Sequence, residues 1–216
     1  MTFRTLFFNA LFMQLQPSYF NYRPIFNELE LKHLTSLASS YPLSKLLSDR
    51  RQLEERSIDY AYVSAKMEHN PYSRKGAAML LKHSFTEGGK KLKDAWMLIN
   101  LRDAFIDIVS PLHSNVANTL TTQGLARLHS QAMNHLLNDN ELGVVRAVAS
   151  SIVGSAYKPI SNSGDLKNLL GALLKNAKSI ENPFEQAVYV HCNLAYLQFF
   201  HDGNKRTARL MQTAIL

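Results

Sequence analysis

The sequence has 216 residues, of which 46% are hydrophobic and 19% are charged. This composition is typical of one globular domain and excludes disordered, collagen-like and low-complexity chains. The 24 Lys and Arg residues exceed the 17 Asp and Glu residues by seven, which favours anionic partners such as nucleotides, nucleic acid or acidic proteins. The single cysteine, Cys192, excludes an internal disulfide and a thiolate-based zinc site, and it favours a reducing, cytoplasmic location.

Residues 1–22 are predicted to be an N-terminal segment that precedes the main domain. They contain an apolar run from Leu6 to Met13 that Asn9 interrupts, with no small-residue cleavage site after it. We therefore expect a helix or strand that packs on the core, in preference to a signal peptide. Met13 is an alternative start of translation, in which case residues 1–12 would not belong to the protein. No run of about 18 uninterrupted apolar residues occurs, so no membrane-spanning helix is expected.

Residues 23–216 are predicted to form one all-α domain without internal repeats or linkers. A helix with a one-sided apolar stripe at Leu29, Leu31, Leu34, Leu37 and Ala38 follows Asn27. Apolar periodicity and helix breakers predict further helices over residues 51–67, 76–83, 92–109, 121–137, 166–177 and 182–200. The stretch 144–159 lacks helical periodicity and contains alternating apolar and small residues, which predicts a short β-hairpin.

Residues that could carry chemistry are concentrated between Phe199 and Arg209. An apolar helix stops at a turn rich in Asp, Gly and Asn, and a second helix begins with Lys205 and Arg206. Such a turn presents free backbone N–H groups at a helix N-terminus, where the macrodipole favours anions. Asp202 stands beside these groups, where a Mg²⁺ ion that bridges two phosphates would need a carboxylate. From the residue types alone, a plain interhelical loop with solvated basic side chains remains the alternative.

The order of these residues resembles the signature of the Fic family, His-x-Phe-x-Asp/Glu-Gly-Asn-Gly-Arg-x-x-Arg. Within residues 198–209, the matching positions are Phe200, Asp202, Gly203, Asn204, Arg206 and Arg209. Upstream, residues 64–70 resemble the family's inhibitory-helix motif, Ser/Thr-x-x-x-Glu-Gly/Asn, with Ser64 and Glu68 at the defining positions. The family's target-docking flap is similar to Ile152, Val153 and Gly154 followed by Tyr157-Lys158-Pro159. The resemblance covers most of residues 60–216 and implies a Fic-like helical bundle with one small β-hairpin flap.

This resemblance implies transfer of AMP from ATP to a Ser, Thr or Tyr hydroxyl group of a protein target, with Mg²⁺ held by Asp202. The implied phosphate and nucleotide ligands are Gly203, Asn204, Lys205, Arg206 and Arg209. In the inhibitory motif, Glu68 is expected to pair with Arg209 and so to displace the γ-phosphate, because an Arg–carboxylate pair is strong. The implied partners are a nucleotide and a protein target that adds a strand to the flap. No membrane partner is implied, and a homodimer is left open.

Two positions depart from the family signature. Gln198 stands where the family has the histidine that deprotonates the target hydroxyl, and an amide cannot accept that proton near neutral pH. Ordinary nucleotide transfer should therefore be weak or absent. His201 and His191 are the other candidate bases, and their positions favour structural roles. Lys205 replaces a glycine and resembles the Doc toxins, which bind the nucleotide in the reverse direction and transfer the γ-phosphate.

Three functions follow from these observations. The first is a Fic-type adenylyltransferase that is autoinhibited by Glu68 and attenuated by Gln198. The second is a non-catalytic nucleotide-binding protein; a Doc-like phosphotransferase is a separate alternative because of Lys205. The third, a nucleic-acid binder, is the least favoured because the basic residues are scattered and no recognition helix or aromatic platform occurs.

Overall fold

The computed structural model describes residues 21–110, 116–152 and 154–216, and these form an all-α fold as predicted. The described helices are α1 (Glu28–Ser40), α2 (Leu43–Ser48), α3 (Arg50–Lys66), α4 (Arg74–His83), α5 (Leu92–Val109), α6 (Val116–Thr119), α7 (Thr122–Met133), α8 (Ser163–Lys178), α9 (Pro183–Leu197) and α10 (Asn204–Ile215). None of them is long and apolar enough to cross a membrane. The helix or strand predicted for the N-terminal segment lies outside the described residues, because the description begins at residue 21.

Polar side chains at the helix starts explain where several helices begin. The Asp49 carboxylate accepts two backbone N–H groups at the start of α3, and the Thr121 hydroxyl accepts the Gly124 N–H at the start of α7. Asn182 accepts two N–H groups at the start of α9, and Pro183 is the first helical residue. These caps satisfy donors that have no acceptor within the helix.

The core lies where α3, α5, α7, α9 and α10 pack on one another. Each helix contributes at least one fully buried apolar side chain: Ile58, Leu101, Leu128, Val190 and Leu210 respectively. Full burial of such a side chain stabilises the fold by about 1.5–3 kcal/mol. The turn between α9 and α10 therefore stands on two helices that are themselves anchored in the core.

Three predicted features end or pack differently in the structure. The apolar stripe of α1 is not buried: no residue of that helix is buried, and Leu29 is 77% exposed. The helix predicted to reach residue 137 ends at Met133, because the chain turns there and His135 takes a left-handed conformation with φ of 59°. The helix predicted to reach residue 200 ends at Leu197, because Gln198 also takes a left-handed conformation.

The β-hairpin predicted over residues 144–159 is not seen in the described part of that stretch, which leaves out Val153. Among the described residues of that stretch there is no β-ladder, and Tyr157 makes only an isolated bridge. A tight turn is present, in which the Ser155 N–H donates to the Ile152 carbonyl at 3.0 Å. The Arg146 side chain donates to the carbonyls of Val148 and Ile160, so a side chain takes acceptors that a neighbouring strand would otherwise use. We call residues 147–160 the 147–160 segment.

Candidate nucleotide site

The turn between α9 and α10 is closed by a side chain of α10. The Asn204 carboxamide accepts the Phe200 N–H at 2.9 Å and donates to the Phe200 carbonyl at 2.9 Å. Gly203 precedes the helix with φ of 74°, and a Cβ there would lie 2.3 Å from the Met133 sulfur. Glycine suits this position, because the backbone is left-handed and any side chain would displace Met133.

The first turn of α10 offers hydrogen-bond donors for an anion. Its N-cap residue, Gly203, provides no capping side chain, and the N–H groups of Asn204, Lys205 and Arg206 have no acceptor within the helix. The helix macrodipole adds positive potential at this end. Among these residues, the Lys205 side chain is exposed, whereas the side chains of Asn204 and Arg206 are buried.

Arg206 has buried donors that lack partners. Its side chain is 5% exposed, and its Nη2 atom donates to the Asp202 carboxylate at 3.1 Å. Its Nε and Nη1 atoms are buried and have no hydrogen-bond partner among the described residues. A buried charged donor without an acceptor is costly, so an anion that supplied the missing acceptors would be stabilised here.

Asp202 is the one predicted metal ligand at the turn. Its side chain is 68% exposed, and one carboxylate oxygen accepts the Gly203 N–H at 2.6 Å. In the part of the chain that the structure describes, no cluster of three or more His, Cys, Asp or Glu side chains could hold a metal ion. A single exposed carboxylate fits Mg²⁺, which proteins often hold through one or two carboxylates together with substrate phosphates.

Gln198, at the position of the family histidine, is held in place by two side-chain hydrogen bonds. Its Nε2 atom donates to the Ala195 carbonyl at 2.6 Å, and its Oε1 atom accepts from the Asn204 carboxamide at 3.2 Å. The residue has φ of 52° and is 9% exposed. The amide therefore contributes to the turn, and it provides no group that can take a proton from a hydroxyl.

Arg209 lies in the second turn of α10 and contacts the end of α3. Its Nη2 atom donates to the Glu68 carboxylate at 2.7 Å, and its Nε atom donates to the Ser64 hydroxyl at 2.8 Å. The side chains of Arg209 and Glu68 are only 14% and 23% exposed. Partial burial shields the pair from water and salt, so it is stronger than an exposed surface pair.

The end of α3 differs from the family motif and places Glu68 at the site. His69 takes the left-handed conformation, with φ of 60°, that usually favours glycine or asparagine after a helix. The Asn70 carboxamide donates to the Asp94 carbonyl at 2.8 Å and accepts the Tyr72 N–H at 3.1 Å. The first of these bonds attaches the chain after Glu68 to α5, and the second closes a local turn.

Two cavities flank Asp202 and Glu68. The smaller has a volume of about 230 Å³ and is lined by Glu68, Ser151, Ile152, Gln198, Asp202, Gly203, Asn204 and Lys205. The larger has a volume of about 520 Å³, and its basic lining residues include Lys91, Lys93 and Arg206. Neither His191 nor His201 lines either cavity in the described part of the chain, and His201 Nδ1 lies 3.4 Å from the Glu141 carboxylate.

Comparison with known proteins supports the resemblance seen in the sequence. Residues 119–216 match the model of the Fic/DOC family. Residues 119–216 are therefore similar to the Fic/DOC family domain, and we call this part of the chain the Fic domain. The matched residues include α7, α9, α10 and the turn with its anion-binding donors. Glu68 lies N-terminal to the matched residues, whereas its partner Arg209 lies among them.

Curated relatives match over most of this chain. The protein adenylyltransferase Fic of Nematostella vectensis is 25% identical over 171 residues, which are 77% of this chain and 39% of that protein. The protein adenylyltransferase fic-1 of Caenorhabditis elegans is 23% identical over 170 residues, covering 77% of this chain and 33% of that protein. The chain thus spans about a third to two fifths of the length of these relatives.

Solved structures share the fold. A Fic family protein from Desulfovibrio desulfuricans superposes with a TM-score of 0.72 at 17% identity, covering 90% of this chain and 59% of that chain. A fragment of Fic-1 from C. elegans superposes with a TM-score of 0.66 at 21% identity, covering 86% of this chain and 55% of that chain. At these identities the likeness establishes the fold of the Fic domain and nothing finer.

Of the predicted flap residues, Ile152 lies beside the turn of the Fic domain. Ile152 lines the smaller cavity, Gly154 has φ of 77° and is exposed, and Val153 lies outside the described residues. Tyr157 is buried, and its ring stacks on Tyr196 of α9 with centroids 4.2 Å apart. The described residues of the 147–160 segment thus reach the cavity without forming a β-ladder among themselves.

His129 of α7 supports the turn from below and was not among the predicted residues. Its Nδ1 atom accepts the Gly143 N–H at 2.8 Å, so Nε2 carries the proton that is donated to the Asp202 carbonyl at 3.0 Å. The ring is fully buried and stacks on Phe200, with centroids 3.9 Å apart. Burial lowers the pKa of His129 to about 4, because the charged imidazole is desolvated.

The Fic domain should lose stability in mild acid because of His129. The pKa of His129 falls from 6.5 to about 4 on folding, so the unfolded chain binds the proton more readily between these values. The free energy of unfolding should therefore decrease as the pH falls from about 6.5 to 4, by up to about 3 kcal/mol. Urea titrations across this range should show a flatter pH profile for His129→Gln than for the wild type. Parallel profiles would contradict the assignment.

Proposed function

We propose that this Fic domain binds ATP and Mg²⁺ at the turn between α9 and α10 and transfers AMP to a protein hydroxyl group. The hydroxyl oxygen bonds to the α-phosphate and loses its proton, while the bond between the α- and β-phosphates breaks and pyrophosphate leaves. We further propose that Glu68 holds the domain autoinhibited and that Gln198 attenuates its activity. The observation that carries the nucleotide part is the buried Arg206 guanidinium, whose Nε and Nη1 atoms lack partners among the described residues. The curated relatives bear the name protein adenylyltransferase, which supports AMP transfer as the reaction.

In this mechanism the phosphates bind to the first turn of α10. The backbone N–H groups of Asn204, Lys205 and Arg206 donate to phosphate oxygens, and the Arg206 side chain adds charge-assisted bonds. Asp202 would hold Mg²⁺, which neutralises charge on the phosphate oxygens when bound. The 147–160 segment would hold the acceptor peptide so that its hydroxyl faces the smaller cavity.

Glu68 provides the proposed inhibition. The γ-phosphate of a productively bound ATP needs a cation, and Arg209 is already bound to Glu68 at 2.7 Å and to Ser64 at 2.8 Å. A triphosphate that approaches this arginine also meets the Glu68 carboxylate, whose charge repels it. ATP then binds without its γ-phosphate in the productive place.

Gln198 supports a second candidate function, nucleotide binding without transfer. Its side-chain amide is bound to Ala195 and Asn204. None of the described residues that line the smaller cavity is a histidine. Without a general base, transfer falls by about 10²–10⁴. Lys205 lines the same cavity. It supports a separate alternative, a Doc-like phosphotransferase in which the nucleotide binds in the reverse direction.

Calorimetry with ATP and ADP tests the proposed site and its inhibition together. Glu68→Gln keeps the shape of the side chain and removes the charge, so Arg209 becomes free to bind a γ-phosphate. We expect this variant to bind Mg·ATP about 10-fold more tightly than the wild type, because a charge-assisted hydrogen bond contributes about 1.5–3 kcal/mol. ADP affinity should stay the same, since ADP lacks that phosphate.

Glu181→Gln, a change of the same type outside the site, is the matched control and should leave both affinities unchanged. A wild type that binds neither nucleotide would refute the site. Equal gains for ATP and ADP would refute the inhibitory role of Glu68 while leaving the nucleotide site in place.

A further inference from the structure

Arg146 is a fully buried cation for which the sequence predicted no role. Its exposed fraction is zero, and it forms no ion pair with any carboxylate among the described residues. Its side chain instead donates to three backbone carbonyls: Nε to Gln198 at 2.6 Å, Nη1 to Val148 at 2.5 Å and Nη2 to Ile160 at 2.5 Å. Burying a charged group carries a desolvation penalty, so a guanidinium at this buried position is expected to do more than fill space.

The acceptors of Arg146 belong to two different parts of the site. The Gln198 carbonyl lies at the C-terminal end of α9, where the helix macrodipole favours a cation. The backbone N–H of Arg146 also donates to the next carbonyl, that of Phe199, at 2.9 Å. Val148 and Ile160 lie near the two ends of the 147–160 segment. A single residue therefore ties both ends of this segment to the turn that follows α9.

We propose that Arg146 is a positioning residue, which fixes the 147–160 segment relative to residue 198 and the phosphate-binding turn. The inference rests on the proposed function, because the segment supplies Ser151 and Ile152 to the smaller cavity, in which the acceptor hydroxyl would meet the α-phosphate. Transfer needs the reacting atoms about 3–3.5 Å apart, so a segment that moves by 1 Å lowers the rate without affecting ATP binding.

The fork of the guanidinium explains why arginine is needed. Its nitrogens point in fixed directions and reach three carbonyls at once, whereas the single nitrogen of a lysine cannot span acceptors on both ends of the segment. Arg146→Lys keeps the charge and most of the length. It should therefore release the 147–160 segment while leaving the α9–α10 turn close to its present structure.

Hydrogen–deuterium exchange with mass spectrometry measures this release directly. In Arg146→Lys we expect backbone N–H groups of the 147–160 segment to exchange about 10-fold faster, with α3 and α5 unchanged. Arg102→Lys is the matched control, because Arg102 also donates to a backbone carbonyl, that of Leu81 at 2.8 Å, outside the site. In the same variants, the Kd of Mg·ATP should stay within about 3-fold of the wild-type value.

An activity measurement adds a readout that a purely structural role would not change in this way. In a Gln198→His, Glu68→Gly background, Arg146→Lys should lower kcat for transfer to lysate proteins by about 10–100-fold with the KM for ATP unchanged. If this background transfers nothing, the proposed function fails, and the exchange measurement still decides the role of Arg146.

Three results would overturn the proposal. Faster exchange in α3 and α5 to the same extent as in the segment would show that Arg146 serves the whole fold. Unchanged exchange in the segment would show that it positions nothing. A parallel loss of ATP affinity would place its effect on the phosphate turn. Arg146→Gln, which keeps one donor, is the second variant, and failure of both variants to fold would also overturn the positioning role.

Discussion

Gln198→His combined with Glu68→Gly should raise AMP transfer to protein targets by about 10²–10⁴ over the wild type, whereas either change alone should restore little. The first change supplies a general base, and the second frees Arg209 to hold the γ-phosphate. Each change needs the other, so the two effects should be strongly non-additive. Intact-mass spectrometry of lysate proteins incubated with Mg·ATP measures the AMP adduct.

The substitution at residue 198 suits the backbone there. Gln198 has φ of 52°, a conformation in which histidine is among the better tolerated residues. Gln198→Asn in the Glu68→Gly background is the matched control, because it tolerates the same conformation, loses the same hydrogen bond to Ala195 and supplies no base. A control that transfers as much AMP as the histidine variant would contradict the role assigned to residue 198.

Lys205 decides which product the activated chain should form. If its side chain forces the reversed pose, the double variant should transfer phosphate, and a further Lys205→Gly change should convert the product to the AMP adduct. The exposed position of Lys205 in the first turn of α10 allows this change without a cavity in the core. A triple variant that binds ATP and modifies no protein would leave the non-catalytic nucleotide-binding protein as the better account.

Arg206→Gln should weaken Mg·ATP binding by about 10–100-fold, because each lost charge-assisted bond contributes about 1.5–3 kcal/mol. Gln198→Ala should change the affinity by less than about 3-fold, since its side chain bonds only to Ala195 of α9 and to the Asn204 side chain. Calorimetry on both variants measures the difference. Equal losses of affinity would contradict the proposed ligand set.

The stability of Arg206→Gln separates a binding role from a structural one. The ion pair that this change removes involves an Asp202 side chain that is 68% exposed, and such pairs contribute about 0–1 kcal/mol. The change also removes the buried donors that lack partners in the described structure. The free energy of unfolding should therefore stay close to the wild-type value. A large loss of stability would show that Arg206 supports the fold in the absence of a ligand.

Local patterns in the sequence predicted the helices and the turn, because each depends on residues that are close in the chain. The start of α7 follows from Thr121, and that of α9 follows from Asn182 and Pro183. The left-handed conformations of His135 and Gln198 shortened two helices, and neither residue type signals such a stop. The ends of these two helices depend on packing, and the pattern of apolar residues in the sequence does not predict it.

Long-range contacts account for what could not be predicted. His129 bonds to Asp202, 73 residues away, and Arg146 bonds to Gln198, 52 residues away. Nothing in the sequence around either residue distinguishes it from an ordinary helix or loop residue. The described residues of the 147–160 segment form no β-ladder, and Arg146 takes carbonyls of this segment that a strand pair would need. Only the fold brings these groups together.

The most direct test of AMP transfer uses the Gln198→His, Glu68→Gly variant with ATP that is labelled either at the α-phosphate or at the γ-phosphate. AMP transfer predicts that protein retains label from the α-phosphate and none from the γ-phosphate, and that Asp202→Ala abolishes the signal because no carboxylate then holds Mg²⁺. Label from the γ-phosphate alone, or retention that survives Asp202→Ala, would contradict AMP transfer at this turn.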